Sequence, residues 1–201
     1  SLGEVCADLQ VLFDRHDYAD AVIFGHAKDG NIHFLVTEDF AGPESLKRYE
    51  DFTEDMVQLV LDKQGTLKAE HGTGRIMAPF VRRQYGDDLY RAMWDVMLAC
   101  DPQQILNPGS VLTEDPELHL KNIKSTSPVR EVIDDCVECG YCEPVCPSQH
   151  LTTTPRQRIV IQRAIQEASA SGNQALADAL FEQETYDVVQ TCAVDGMCST
   201  S

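Results

Sequence analysis

Basic residues are scarce in this chain: 16 lysines and arginines stand against 33 aspartates and glutamates, a formal charge of −17 over 201 residues. Phosphate binding needs clustered Lys and Arg, so nucleic acid is excluded as a partner. Long apolar runs are lacking as well. None approaches the ~20 residues of a membrane span, and the N-terminus has no basic-then-apolar order of a secretory signal, so a cytosolic setting is the default expectation. There is no low-complexity tract and no internal repeat beyond the cysteine motifs. The apolar fraction of 43% is ordinary, and the length suits one sizeable domain or two small ones.

Cysteine is the residue in conspicuous supply. Eight in a chain without a secretory signal point to metal and not to disulfide stapling. Four lie in Cys136-Val-Glu-Cys139-Gly-Tyr-Cys142-Glu-Pro-Val-Cys146-Pro147. Three thiolates two residues apart converge on one iron–sulfur cube when the loop curls, and Gly140 permits the curl. Zinc is the plainer alternative, but zinc pairs are usually separated by a dozen residues or more. In two-cluster ferredoxins the cysteine before proline ligates the other cluster. Cys192-Ala-Val-Asp195-Gly-Met-Cys198 offers further ligands for it, with Asp195 where a middle cysteine would stand. Asp195 reads either as a carboxylate ligand, giving a three-iron or carboxylate-ligated cluster, or as a turn residue before Gly196. The chain stops at Ser201, where the motif places its next cysteine, so the sequence reads as a fragment whose first cluster lacks one ligand. Cys6 and Cys100 sit in apolar helical patterns and read as core residues.

Apolar periodicity predicts helices over residues 3–16, 44–64, 87–99, 156–170 and 174–184. Ala21–Gly25 and Ile32–Val36 read as strands joined by a turn at Lys28–Asn31, and Thr66–Glu70 as a third, brief strand. If the turn centres on Asp29-Gly30, His26 falls directly opposite His33, close enough for both imidazoles to hold one metal ion. Glu70 is a candidate third ligand. Half-buried histidines bonded to backbone are the alternative. His71 would leave on the opposite face of a straight strand, so the chain must bend at Gly72 and Gly74 for it to serve as general base. Arg75 suits a carboxylate or phosphate, or a structural pairing. Asn107-Pro108-Gly109 is a turn by default.

The expected architecture is α+β. A small antiparallel sheet covered by helices spans 1–113, a linker 114–133, and an all-α, helical ferredoxin-like domain 134–201, truncated at its C-terminus.

Gly25-His26-Ala-Lys-Asp29-Gly30-Asn31-Ile-His33, Glu70-His71-Gly72-Thr-Gly74-Arg75 and Ile105-Leu106-Asn107-Pro108-Gly109 together resemble the C-terminal part of the FAD-linked oxidases. That family includes D-lactate dehydrogenase, the glycolate oxidase flavin subunit and D-2-hydroxyglutarate dehydrogenase. With the cysteine motifs behind them, the order is similar to the bacterial fused flavin and iron–sulfur enzymes. The resemblance implies that His26, His33 and Glu70 bind a divalent metal (zinc, manganese or iron), that His71 takes the substrate hydroxyl proton, and that Asn107 lies near the flavin. It implies 4Fe-4S clusters, two in the parent, on Cys136, Cys139, Cys142, Cys146, Cys192 and Cys198. It further implies oxidation of a D-2-hydroxy acid of the D-2-hydroxyglutarate or D-lactate type, with FAD bound mainly by an upstream domain. The electron acceptor would be a quinone or an electron-transfer protein. The location would be cytoplasmic, with peripheral association at the cytoplasmic face of the inner membrane and a homo-oligomer both compatible. Related enzymes often carry asparagine where this chain has Leu35, which leaves the particular acid open. The FAD-binding domain and the residues that grip a distal carboxylate are absent from the sequence, so this chain alone is expected to be inactive. The competing reading is a non-catalytic iron–sulfur electron-transfer subunit of a glycolate oxidase or glycerol-3-phosphate dehydrogenase type complex, with structural histidines.

Overall fold

The structure is a computed structural model that describes residues 1–40, 42–124 and 127–200. The chain divides into two compact units, Ser1–Ser125 and Thr126–Ser201. The linker expected over 114–133 includes Ser125 and Thr126, which lie outside the described residues. No helix of the described residues is long and apolar enough to cross a membrane.

In the first unit α1 (Leu2–Arg15) begins at Ser1, whose Oγ accepts the Glu4 N–H, and buries Leu9, Leu12 and Phe13 along one side. A hairpin follows, β1 (Val22–His26) and β2 (Asn31–Leu35), and then α2 (Pro43–Asp62), which opens on a proline at its first turn and buries Phe52, Thr53, Met56 and Val57. Phe13 lies 5.7 Å from both Phe34 and Phe52, and Tyr18 meets Phe52 edge-on at 5.1 Å. Such aromatic pairs add about 0.5–1.5 kcal/mol each beyond the area they bury. The sheet therefore has one committed face. Ile23, Ile32 and Phe34 pack on the core, while Val22, Phe24 and Leu35 are exposed.

The pairing differs from the sequence expectation by two residues. Phe24 faces His33 and His26 faces Asn31, because the connection is a four-residue turn, helical at Ala27–Asp29 and closed by Gly30 at φ 66°. A slip of two preserves the face. His26 and His33 become diagonal neighbours with rings 5.6 Å apart, and the Phe24 ring stacks on His33 at 5.3 Å. Gly25 is required at its place, since a Cβ there would stand 2.2 Å from the Asn31 carbonyl oxygen.

No third strand forms at Thr66–Glu70; among the described residues the sheet has two strands. That segment is held instead by Gln84, which accepts the Leu67 N–H at 3.1 Å and donates to Thr66 Oγ1 at 2.9 Å. Gln84 sits on α4 (Val81–Tyr85), preceded by the short α3 (Gly74–Met77), and α5 (Asp87–Cys100) follows. Tyr90 alone is buried on α5, and Leu89 and Val96 stay exposed. Cys100 is exposed and Cys6 half-buried, so neither is a core residue in this unit. Arg75 donates to the Leu118 and Lys121 carbonyls, a structural pairing that fastens the 118–121 turn onto α3.

The second unit is helical: α6 (Glu131–Asp134), α7 (Pro155–Ala170) and α8 (Gln174–Glu184), which runs on into a wide turn over Thr185–Gln190. Thr154 and Gln157 cap α7 reciprocally, each side chain accepting the other's backbone N–H. The α+β expectation holds for the chain.

The loop before α2 is clamped by Glu38, which accepts both Nε and an Nη of Arg48 at 2.8 Å and the Tyr18 hydroxyl at 3.0 Å. The Arg48 hydrogen bonds above all hold the Glu38 carboxyl below its ordinary value. Burial first, then Glu38, pushes the Tyr18 phenol up to about 12. A depressed carboxyl stabilises the fold above its unfolded pKa and loses that contribution as pH falls through the folded value. The raised phenol contributes fully below pH ~10 and loses its share as pH climbs toward the folded value. Urea midpoints followed by circular dichroism should thus fall on both sides of neutrality, with Arg48→Ala flattening the acid limb and Tyr18→Phe the alkaline one. Limbs as steep as wild type in these variants would contradict the assignment.

Candidate metal centre and cluster loops

Because Ile23, Ile32 and Phe34 commit one face of the hairpin to the core, His26 and His33 are left on the other. Glu70 arrives in front of them from the segment that Gln84 holds. Its Oε1 stands 2.6 Å from His33 Nε2, 3.2 Å from His71 Nε2 and 3.6 Å from His26 Nε2. Glu70 and His71 reach the same place because His71 adopts φ 63°, followed by Gly72 at φ 71°. The bend demanded by alternation is therefore taken at the histidine itself. Burial acts to raise the Glu70 pKa, but the three imidazoles His71, His26 and His33 outweigh it and hold the carboxyl below its usual range.

Donor atoms of His26, His33 and Glu70 all lie within 4.8 Å of one another. His33 Nε2 is buried, and apart from the close Glu70 oxygen it has no polar partner among the described residues. Two nitrogens and a carboxylate crowded together with an orphaned lone pair fit a divalent ion bound by all three, and the donor set suits zinc, manganese or iron better than magnesium. His71 is 71% exposed and edge-on to the His33 ring at 5.6 Å, free to meet a ligand in front of the triad. Asn107 lies elsewhere. It is exposed, at φ 53°, in a groove with Leu89, Met93, Met97 and Leu106 that shares no lining residue with the groove containing His33, Glu70 and His71.

In the second unit Cys146 is buried, Cys136 and Cys142 are half-buried, and Cys139, Cys192 and Cys198 are exposed. The first loop curls through Glu138 at φ 59° and Gly140 at φ 85°. Arg163 of α7, 6% exposed, holds it from behind by donating to Glu138 Oε1 at 2.7 Å, the Cys136 carbonyl at 2.9 Å and the Asp134 carbonyl at 3.3 Å. Glu143 accepts from Arg156 and Thr154, both at 2.8 Å, and fixes the other side. These two clamps hold the curl that carries Cys136, Cys139, Cys142 and Cys146, soft thiolates of the kind that iron–sulfur clusters take. Sequence reasoning missed Arg163 and Gln84. The available signal for Arg163 is its place one turn from Ile159 and Val160; nothing marks Gln84 in advance.

Comparison with known proteins gives these geometries a lineage. The family model described as "FAD linked oxidases, C-terminal domain" matches residues 1–111, and that described as "4Fe-4S dicluster domain" matches residues 132–201. The glycolate oxidase subunit GlcD of Bacillus subtilis (strain 168) is 34% identical over 92 residues, covering 46% of this chain and 20% of that protein. The mitochondrial D-lactate dehydrogenase [cytochrome] of Kluyveromyces lactis is 35% identical over 97 residues, covering 48% of this chain and 16% of that protein. The D-2-hydroxyglutarate dehydrogenase of Escherichia coli (strain K12) is 26% identical over 186 residues, covering 81% of this chain and 18% of that protein. This chain thus spans about a fifth of the length of these curated relatives. No solved structure matches it. With more than half its residues in the first match and the cysteine loops in the second, the chain belongs to the FAD linked oxidases, as their C-terminal domain joined to a 4Fe-4S dicluster domain.

Proposed function

We propose that this chain carries the substrate-side metal site and the electron exit of a flavin-dependent dehydrogenase that oxidises a D-2-hydroxy acid, of the D-2-hydroxyglutarate or D-lactate type, to the 2-oxo acid. The observation that supports it most is the crowding of His26, His33 and Glu70 around one point, with His33 Nε2 left without a hydrogen bond. A divalent ion on these three residues would supply Lewis acidity toward the substrate hydroxyl and an anchor for its carboxylate. FAD, gripped mainly outside these residues, would accept a hydride from C2, and two 4Fe-4S clusters would carry its electrons singly to a quinone or an electron-transfer protein.

This chain's own contribution is positioning and proton transfer. Glu70 and the two hairpin histidines fix where the hydroxyl oxygen stands. His71 Nε2, beside the same carboxylate oxygen and open to the front, takes the hydroxyl proton as C2 gives up its hydride and the carbonyl forms. The exposed Phe24 and Leu35 flank the site and face the substrate's side chain. Asn107 serves the flavin from its separate groove. The relatives named above act on small hydroxy acids, and this reading takes its substrate class from them.

Two outcomes check this in the intact, cofactor-loaded protein. His33→Ala should lose the divalent ion and lower hydroxy-acid oxidation by roughly two to three orders of magnitude, the scale of one lost electrostatic stabiliser, with flavin content unchanged. Metal content and turnover equal to wild type would refute the metal reading and favour an electron-transfer subunit with structural histidines. Cys139→Ser should lower the cluster absorbance and abolish transfer to the acceptor but spare flavin reduction by substrate. Retained transfer would remove this loop from the electron path.

A further inference from the structure

The two cysteine loops are one backbone written twice. In the first, Cys136 N–H donates to the Ile133 carbonyl at 3.1 Å, Glu138 and Gly140 take φ 59° and 85°, and the Gly140 carbonyl accepts the Glu143 N–H at 2.9 Å. In the second, Cys192 N–H donates to the Val189 carbonyl at 3.2 Å, Val194 and Gly196 take φ 53° and 72°, and the Gly196 carbonyl accepts the Ser199 N–H at 3.1 Å. Every feature falls at the corresponding residue. Cys192 stands for Cys136, Cys198 for Cys142, and Asp195 occupies the place of Cys139.

The repeat is conformationally costly. A β-branched residue at positive φ is a genuine outlier that the surrounding structure must hold in place. Glu138 in the first loop is secured in that conformation by the buried Arg163. Val194 is 86% exposed and has no polar side chain to be held by. An ordinary Asx turn before Gly196 needs no such strain at the residue ahead of it; a loop shaped to aim three side chains inward does.

A second observation joins this loop to Cys146. The carbonyl of Thr191 accepts the Ser148 hydroxyl, and Thr191 Oγ1 accepts from Thr152 Oγ1 at 2.6 Å. The residue before Cys192 is thereby fastened to the turn that follows Cys146-Pro147, and Cys146 is 7% exposed. The cysteine before proline is the one that serves a neighbouring cluster.

We propose that Asp195 is an iron ligand: its carboxylate holds one corner of a second cluster whose other three corners take Cys192, Cys198 and Cys146. Oδ1 of Asp195 accepts the Met197 N–H at 3.2 Å, which leaves Oδ2 for iron. A hard carboxylate oxygen grips iron less firmly than a soft thiolate, so this corner is the exchangeable one. Removal of one electron by a one-electron oxidant such as ferricyanide then turns [4Fe–4S]2+ into [3Fe–4S]+ and releases Fe2+, with ferricyanide reduced to ferrocyanide. Ferrous ion and one electron from dithionite reverse it. This rests on the two-cluster reading above and is independent of which hydroxy acid is oxidised.

The test uses the intact, cofactor-loaded parent protein, in which the first cluster has its fourth ligand, isolated without oxygen and titrated with ferricyanide while released Fe2+ is measured with a ferrous chelator and the clusters by paramagnetic resonance. Wild type should release one Fe2+ per chain and develop the narrow signal of an oxidised three-iron cluster. Asp195→Cys should keep its iron and show no such signal. Asp195→Asn, which preserves the acceptor for Met197 N–H but ligates poorly, should show the three-iron signal as isolated. Cys192→Ser separates the two readings. If it retains all wild-type iron, there is no second cluster and the reading beneath the proposal fails. If it loses that iron while Asp195→Asn matches wild type in spectrum and Fe2+ release, the second cluster stands and the Asp195 assignment alone is overturned.

Discussion

Burial of Phe34 between Phe13 and Phe52 decides which way the hairpin faces, and the candidate metal centre depends on that decision. With Ile23, Ile32 and Phe34 committed to the core, strict alternation sends Phe24, His26 and His33 outward together. Exposing those apolar residues to bring the imidazoles inward would cost several times what a histidine pair could return. The imidazoles thus share a face as a by-product of core packing. Glu70 then needs only to be delivered, and Gln84 delivers it through two hydrogen bonds to the Thr66–Leu67 backbone and side chain.

A residue at positive φ stands at each place where the candidate ligands converge. His71 at φ 63° turns two consecutive side chains to one side, which an extended strand does not do. Glu138 and Val194 do the equivalent in the cysteine loops. In the first loop the compensation is visible: a buried guanidinium whose two Nη groups donate to a carboxylate and two carbonyls. Charge-assisted bonds in a low-dielectric setting are strong enough to hold such a conformation.

The five long helices were legible in the sequence to within a residue or two, and Ser1, Pro43, Thr154-Pro155 and Asn173 stand where four of them begin; the short α3, α4 and α6 carry too little periodicity to be read. The hairpin was legible in kind but not in register. Asp29-Gly30 suggests a two-residue turn, whereas the close approach at Gly25 and the short helical turn at Ala27–Asp29 favour four. The shared face survived because the error was even. The strand expected at Thr66–Glu70 failed because its backbone partners are a glutamine side chain and not a sheet edge. The apolar helix carrying Cys100 misled in another way, since periodicity marks a face able to be covered and not one that is. Gln84 was invisible, and Arg163 was marked only by its place one turn from Ile159 and Val160: each acts through contacts distant in sequence that no spacing encodes.

In the proposed function one protein joins hydroxy-acid oxidation at the histidine and glutamate site to electron exit through the cysteine loops. The most direct measurement is anaerobic addition of a panel of D-2-hydroxy acids to the intact, cofactor-loaded protein, with flavin absorbance and cluster paramagnetic resonance followed in the same sample. Flavin bleaching by one acid, followed by reduced-cluster signals, is the result the account predicts. Clusters that respond to dithionite but to none of the acids would contradict it and leave the chain an electron conduit.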